Sequence, residues 1–148
     1  MWFAADLLYT VNRAGIELIP DSGFLEMEEE LNQQYSRIFN PENSVWFPLA
    51  LFVFAIVPAF VEELVFRGLL LKNLKEVSGS SHFGVVVSSL MFAAFHFQPW
   101  NILPMTGLAI VFGYVYLYTK DIRYSMLMHF LYNGVQITFM FFIPGVIE

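Results

Sequence analysis

The chain has 148 residues, of which 57% are hydrophobic and only 14% are charged. Soluble domains average about 45–50% apolar and about 25% charged residues, so this composition indicates a membrane protein. The net charge of −6 argues against nucleic acid as a partner, because phosphates require a basic surface. The absence of cysteine excludes disulfides, thiolate metal ligands and a cysteine nucleophile.

Residues 1–44 are interpreted as one unit, made of a partial helix and an acidic extramembrane segment. Met1–Val11 is apolar but short, and it resembles the end of a truncated helix. The stretch from Asn12 to Ser44 is polar and acidic, which places it outside the bilayer. Within it, apolar residues at helical spacing predict an amphipathic helix that packs on the protein: Phe24, Met27, Leu31, Tyr35 and Ile38.

Residues 45–148 form the second unit, and long apolar runs predict that it is a helical membrane core. The fold class is therefore all-α, a polytopic transmembrane bundle of about four full spans plus the amphipathic helix. The spans are expected at residues 46–74, 82–97, 102–118 and 124–147. A kink is expected at Pro58, which lies inside the first span.

Basic residues lie at one end of these predicted spans and acidic residues at the other. The basic end carries Lys72, Lys75, Lys120 and Arg123, and it should be cytoplasmic. We therefore expect a multi-pass protein of the plasma (inner) membrane, surrounded by the lipid bilayer. Four spans leave apolar faces uncovered, so additional helices or self-association are expected to complete the bundle.

Two adjacent carboxylates and a guanidinium interrupt the first span. Glu63 and Arg67 are four residues apart, on one helical face and in the order that favours a salt bridge. Glu62 points about 100° away from Glu63, so it is left free for chemistry. Charges at membrane depth usually mark a functional site, although a network that only fixes helix packing would look similar.

The later spans carry few polar residues, and these fall at helical intervals. His96 follows Phe92 by four residues, and Asn133 follows His129 by four. A lone histidine in a membrane is more often a helix-bridging hydrogen bond than a catalyst. Together with a free glutamate, however, the set supplies the parts of a hydrolytic site. Glu62 and His96 would activate water, while His129 and Asn133 would stabilise an oxyanion.

The blocks Glu62-Glu63-x-x-x-Arg67, Phe92-x-x-x-His96 and His129-x-x-x-Asn133 resemble the CPBP family of intramembrane proteases, also called Abi, which includes the CAAX prenyl endopeptidases. The resemblance covers roughly residues 47–143. It implies an all-helical bundle, endopeptidase activity on a peptide or membrane-protein substrate near the cytoplasmic interface, and a supporting role for Glu63 and Arg67. Members usually have more than four spans, so the chain is expected to be a fragment or a reduced core.

The depth of the two predicted site residues presents a difficulty. If Trp46 and His82 both mark membrane boundaries, Glu62 lies about 24 Å from one face and His96 about 21 Å from the other. In a hydrocarbon layer of about 30 Å these side chains do not meet. Either the second helix begins outside the bilayer or the first is displaced at Pro58.

No cofactor is favoured from the sequence, and zinc is the alternative. Glu62, His96 and His129 would be its ligands, with the fourth position open. An asparagine one turn from a histidine suits an oxyanion hole better than a metal shell, and no His-Glu-x-x-His pair is present. Two functions other than proteolysis remain open: a non-catalytic immunity or scaffold protein, and a proton or ion pathway.

Overall fold

The computed structural model describes residues 2–19 and 23–143, and within them every regular element is helical. The helices are α1 (Trp2–Glu17), α2 (Phe24–Ile38), α3 (Ser44–Ser78), α4 (Ser81–Phe95), α5 (Ile102–Thr119) and α6 (Ile122–Phe142). Short 3₁₀ turns at Pro41–Trp46 and Pro99–Asn101 lead into α3 and α5. The all-α expectation is confirmed, while the last residues of the fourth predicted span lie outside the described ranges.

Two helices in the described part of the chain are long and apolar enough to cross a membrane. One is α3, with a mean hydropathy of 2.3. The other is α5 together with the 3₁₀ turn before it (Pro99–Thr119), with a mean hydropathy of 1.5. The intervening α4 has 15 residues and rises about 22 Å, less than a hydrocarbon layer of about 30 Å. The expectation of four full spans is thus supported for two helices and remains a prediction for the others.

Helix α3 continues through Pro58, and the expected disturbance there takes the form of a wide turn. The helix becomes π-helical over Phe52–Ile56, directly before the proline, because proline supplies no backbone N–H to the preceding turn. A second π-helical segment, Leu64–Leu71, follows Glu63. Such segments often occur at functional sites, and here they flank Glu62 and Glu63.

Glycines bring α3, α4 and α5 into close contact. A Cβ added at Gly84 of α4 would lie 3.0 Å from the carbonyl oxygen of Leu71 in α3. A Cβ added at Gly113 of α5 would lie 3.1 Å from Cγ1 of Val85 in α4. A larger residue at Gly84 would press on the backbone of α3, and one at Gly113 would require the Val85 side chain to shift.

Two apolar clusters stabilise opposite halves of α3. One joins its N-terminal half to α6 and to the end of α2, and consists of Phe39, Ala50, Ala55, Ile137 and Phe141. The other joins its C-terminal half to α4 and α5 through Phe66, Phe92 and Ala109. The polar side chains of the predicted site lie in the region between these clusters.

The two N-terminal helices pack on the bundle, as expected for α2. Helix α1 extends to Glu17, beyond the predicted end at Val11. Asn12 fixes it by donating to the carbonyl oxygen of Pro99 (2.7 Å) and accepting from the Leu103 N–H (3.0 Å). The buried face of α2 includes Glu28, which accepts from Tyr9 and pairs with Arg13 of α1. Periodicity of apolar residues alone misses this buried acid.

Candidate active site

Helices α3 and α4 bring Glu62 and His96 to the same depth. Helix α3 ends and α4 begins at the turn around Gly79, so distances along both helices are counted from this shared turn. At 1.5 Å per residue, Glu62 lies about 24 Å along α3 and His96 about 22 Å along α4. The difficulty inferred from sequence came from placing Trp46 at a membrane boundary. The 35 residues of α3 rise about 52 Å, so this helix exceeds the hydrocarbon thickness.

A fully enclosed ion network forms the inner part of the site. Arg67 donates from Nη1 to Glu63 Oε1 at 2.9 Å and from Nη2 to the carbonyl oxygen of Ala109 at 2.8 Å. The exposed fractions of the Glu63 and Arg67 side chains are 0% and 1%. On α6, His129 Nδ1 lies 3.0 Å from the same Glu63 oxygen. We call Glu63, Arg67 and His129 the buried layer; it ties α3, α5 and α6 together.

Two phenylalanines shield the buried layer. The Arg67 guanidinium carbon lies 5.1 Å from the Phe92 ring centre and 5.6 Å from that of Phe112. The Phe112 ring also stacks on His129, with centroids 5.2 Å apart. Phe92 belongs to the recognised Phe92-x-x-x-His96 block, whereas sequence reasoning missed Phe112 and the Ala109 carbonyl. Neither has a local sequence signal, because α5 contributes them from about forty residues away.

Glu62 and His96 form a second layer that is reached by solvent. Glu62 Oε2 lies 3.9 Å from His96 Nε2 and 3.7 Å from His129 Nε2. The side chains of Glu62 and His96 are 28% and 29% exposed. We call these two residues the open layer. Three of the four predicted catalytic residues therefore converge on one carboxylate oxygen.

The hydrogen bonds of the two histidines fix which ring nitrogen faces Glu62. His96 Nδ1 lies 2.8 Å from the carbonyl oxygen of Phe92, and His129 Nδ1 lies 3.0 Å from the Glu63 carboxylate. Both partners are acceptors when Glu63 is ionised, so we assign the Nδ1 proton to each ring. Each neutral ring then presents an unprotonated Nε2 to the space beside Glu62.

This space is surrounded by hydrogen-bond acceptors. Glu62 Oε2 is buried as an atom and has no hydrogen-bond partner among the described residues. A buried carboxylate oxygen without a donor is costly, so it favours a proton donor such as water between the three groups. A histidine that binds zinc through Nε2 needs that nitrogen unprotonated and its Nδ1–H donated elsewhere, which His96 and His129 satisfy, and Glu62 would add a carboxylate ligand. Within the described ranges, however, no three His, Cys, Asp or Glu side chains are grouped closely enough to hold a metal ion.

Asn133, the fourth predicted site residue, is fixed by the irregular part of α3. Its Nδ2 donates to the carbonyl oxygen of Phe54 at 3.3 Å. In a regular helix that carbonyl would accept from residue 58, which is Pro58 and has no N–H. Asn133 therefore satisfies an acceptor left open by the proline. It lies one turn beyond His129 on α6, on the same helical face.

The profile of the Rce1-like family, described as type II CAAX prenyl endopeptidase Rce1-like, matches residues 44–135. The matched region contains Glu62, Glu63, Arg67, His96, His129 and Asn133. The chain belongs to this family. The resemblance drawn from the three sequence blocks is thereby confirmed at the level of the family.

Two curated relatives match the chain, and one of them is named as a CAAX protease. The chain is 27% identical over 107 residues to the membrane-embedded CAAX protease MroQ of Staphylococcus aureus (strain USA300), covering 68% of this chain and 43% of MroQ. It is 33% identical over 81 residues to YpbD of Bacillus subtilis (strain 168), an uncharacterized protein, covering 52% of this chain and 38% of YpbD. The aligned part thus spans less than half of either relative. No solved structure gives a significant match.

Proposed function

We propose that this chain is an intramembrane endopeptidase that hydrolyses a peptide bond beside Glu62. The observation that carries the proposal is the convergence of His96 and His129 on Glu62 Oε2, at 3.9 and 3.7 Å, in a layer that solvent reaches. Distances of this size are too long for direct hydrogen bonds, so we propose that one water bridges the three groups. Membership of a CAAX prenyl endopeptidase family supports the same reaction class.

In the proposed reaction, Glu62 acts as the general base. It takes a proton from the water while the water oxygen attacks the carbonyl carbon of the scissile bond. His96 orients the water from its Nε2. The proton then passes to the departing amide nitrogen, the carbon–nitrogen bond breaks, and a carboxylic acid and an amine are released. Glu63 and Arg67 support the reaction by holding His129 in place.

Asn133 and His129 are proposed to stabilise the oxyanion of the tetrahedral intermediate. An asparagine amide has two hydrogens, and the Phe54 carbonyl takes one of them, so the other remains for the substrate. The contact with Phe54 therefore holds the amide in place before substrate binds. His129 donates from Nε2 when its ring carries both protons, since its Nδ1 is committed to Glu63. Preorganised donors of this kind often carry a large part of the rate enhancement.

The side of the membrane on which the peptide is cleaved must be tested, because two expectations from the sequence disagree. Cleavage is expected near the cytoplasmic interface, and the basic end near Lys75 is expected to be cytoplasmic. His96, however, ends α4 at the opposite end from Lys75. The chain contains no cysteine, so single cysteines at Gln34 and Ser80 would give unambiguous labelling by a membrane-impermeant maleimide. The side on which Gln34 reacts identifies the compartment of cleavage.

We favour a reaction without metal, with zinc held by Glu62, His96 and His129 as the second candidate. Bound there, zinc would lower the pKa of its water and polarise the substrate carbonyl. The histidine tautomers described above favour this candidate, while the asparagine beside His129 favours the metal-free one. Exhaustive chelation, metal add-back and elemental analysis of the active protein decide between them. About one zinc per chain, recovered together with activity, would establish the metal.

Proteoliposomes that contain the purified chain test the proposed activity against its two alternatives. A quenched fluorescent peptide reports cleavage, and an internal pH dye reports proton flux. Peptide cleavage that is lost in Glu62→Gln supports the protease. Flux driven by a pH gradient without cleavage would instead indicate a proton pathway. The absence of both signals would indicate an immunity or scaffold protein.

A further inference from the structure

A cleft of about 200 Å³ lies beside His96, between α2 and the turn that follows α4. Its walls include, besides His96, the side chains of Met27, Glu30, Gln34, Phe97, Gln98 and Trp100. His96 therefore belongs both to the open layer and to the cleft wall. A molecule seated in the cleft lies next to the proposed catalytic pair.

The uncharged part of the wall suits a peptide segment. Met27 and Phe97 offer exposed apolar surface, while Gln34 and Gln98 each carry an amide that both donates and accepts. The Gln98 side chain is oriented, because its Oε1 accepts from Asn101 Nδ2 at 3.1 Å. Its two amide hydrogens remain directed to other acceptors, such as the carbonyl groups of an extended backbone.

The charge of the wall is negative. Glu30 is the one carboxylate among the described residues that line the cleft, and no lysine or arginine lines it. No ion pair involves Glu30 within the described part of the chain, and its neighbours Glu26 and Glu29 are also exposed. A cationic group on a ligand would therefore meet a carboxylate that no basic side chain of the described residues neutralises.

We infer that this cleft is a substrate subsite for a peptide carrying a basic side chain close to the scissile bond, with that side chain against Glu30. The inference rests on the proposed function and adds a substrate class to it. Glu30 and His96 line the same cleft, so a basic residue against Glu30 lies within a few positions of the bond that is cleaved.

The test uses quenched fluorescent peptides that differ only in one central residue, either lysine, glutamine or glutamate. They are offered to the full chain in detergent, as wild type, Glu30→Gln, Glu30→Lys and the control Glu29→Lys. The control makes the same change of net charge on the same helix but outside the cleft. The wild type should cleave the lysine peptide with a kcat/KM about fivefold to tenfold above that of the glutamate peptide.

Glu30→Gln should remove this preference and Glu30→Lys should invert it, whereas Glu29→Lys should keep it. The preference should also weaken as salt is added, because Glu30 is exposed. An unchanged preference in Glu30→Lys, or an equal loss in Glu29→Lys, would overturn the subsite. If no peptide is cleaved, fluorescence anisotropy on the same proteins measures binding alone. A lysine preference in binding that Glu30→Lys inverts then supports the cleft although the proposed activity fails, and its absence overturns the cleft as well.

Discussion

The buried layer and the open layer contain similar chemical groups in contrasting surroundings. Glu63 and Glu62 are consecutive residues of α3, yet the first is 0% exposed and bound to Arg67 while the second is 28% exposed. The helical turn of about 100° per residue accounts for the separation. In the buried layer the carboxylate is committed to a guanidinium and an imidazole. In the open layer a carboxylate oxygen faces two imidazole nitrogens without a hydrogen bond.

This comparison indicates which charges build the site and which perform chemistry. A buried ion pair contributes little net stability over an apolar pair, yet breaking it is expensive because the remaining charge is stranded. The Glu63–Arg67 pair of the buried layer should therefore report on folding when it is changed. A partly exposed acid beside two imidazoles contributes little to folding, so the open layer should report on rate.

The largest effect is expected for Glu62→Gln in the open layer. The substitution keeps the size of the side chain and removes the base, so kcat should fall by about 10²–10⁴-fold while the folded fraction stays near wild type. Peptide cleavage and thermal unfolding in detergent measure the two quantities. Glu76→Gln, an exposed acid near the end of the same helix, is the matched control. A Glu62→Gln protein that retained more than about a tenth of the activity would refute the role of general base.

Arg67→Ala should show the opposite pattern. It strands Glu63 as a buried acid and removes the donor to the Ala109 carbonyl, a loss that typically costs about 3–5 kcal/mol of stability. Equilibrium unfolding in detergent measures it. Glu63→Gln combined with Arg67→Leu removes both charges and should be less damaging. A double variant less stable than Arg67→Ala would show that the pair is not what holds these helices.

The sequence predicts the separation of the two layers but not what encloses them. The spacing of Glu63 and Arg67 predicts their ion pair, which is present at 2.9 Å, because such pairs are local on one helix. The contacts of Arg67 with Ala109 and Phe112 join residues more than forty positions apart and depend on how α5 packs. The spacing of residues within α3 or within α5 does not predict such a contact.

The depth of the site also could not be predicted, because span ends were taken as membrane boundaries. The structure aligns Glu62 with His96 by their similar distances from the shared turn, and the 35 residues of α3 are too many for both of its ends to mark membrane boundaries. In the same way, the burial of Glu28 depends on Tyr9 and Arg13 of another helix. Residues joined by local spacing are predictable, whereas those joined by packing are not.

Asn133→Ala tests a residue that combines a structural and a catalytic role. Asn133 contacts the backbone of α3 and is proposed to contact the oxyanion. Loss of a transition-state donor should lower kcat by about 10²–10³-fold with little change in KM. Loss of the hydrogen bond to Phe54 alone should cost only about 1 kcal/mol of stability.

Pro58→Ala separates these two roles of Asn133. An alanine at position 58 restores the N–H that the Phe54 carbonyl lacks, so Pro58→Ala combined with Asn133→Ala should regain stability. It should not regain rate, because the oxyanion donor is still absent. Recovery of kcat together with stability in the double variant would show that Asn133 acts only through the backbone of α3.

The smallest effect is expected at an exposed pair that serves as the reference for Glu63 and Arg67. Asp121 caps α6 by accepting from the Arg123 N–H at 3.0 Å, and its carboxylate also pairs with the Arg123 guanidinium at 2.6 Å. The side-chain hydrogen bond from Arg123 is the main reason that the pKa of Asp121 lies below its usual value. A lowered pKa in the folded state means that the contribution to stability is present above about pH 4, the ordinary aspartate value, and is lost as pH falls below it. Because this pair is solvent-exposed and an asparagine still caps α6, Asp121→Asn should unfold close to wild type at neutral pH and keep full activity. If this variant were destabilised at pH 7 as strongly as Arg67→Ala, burial would not be what distinguishes the two pairs.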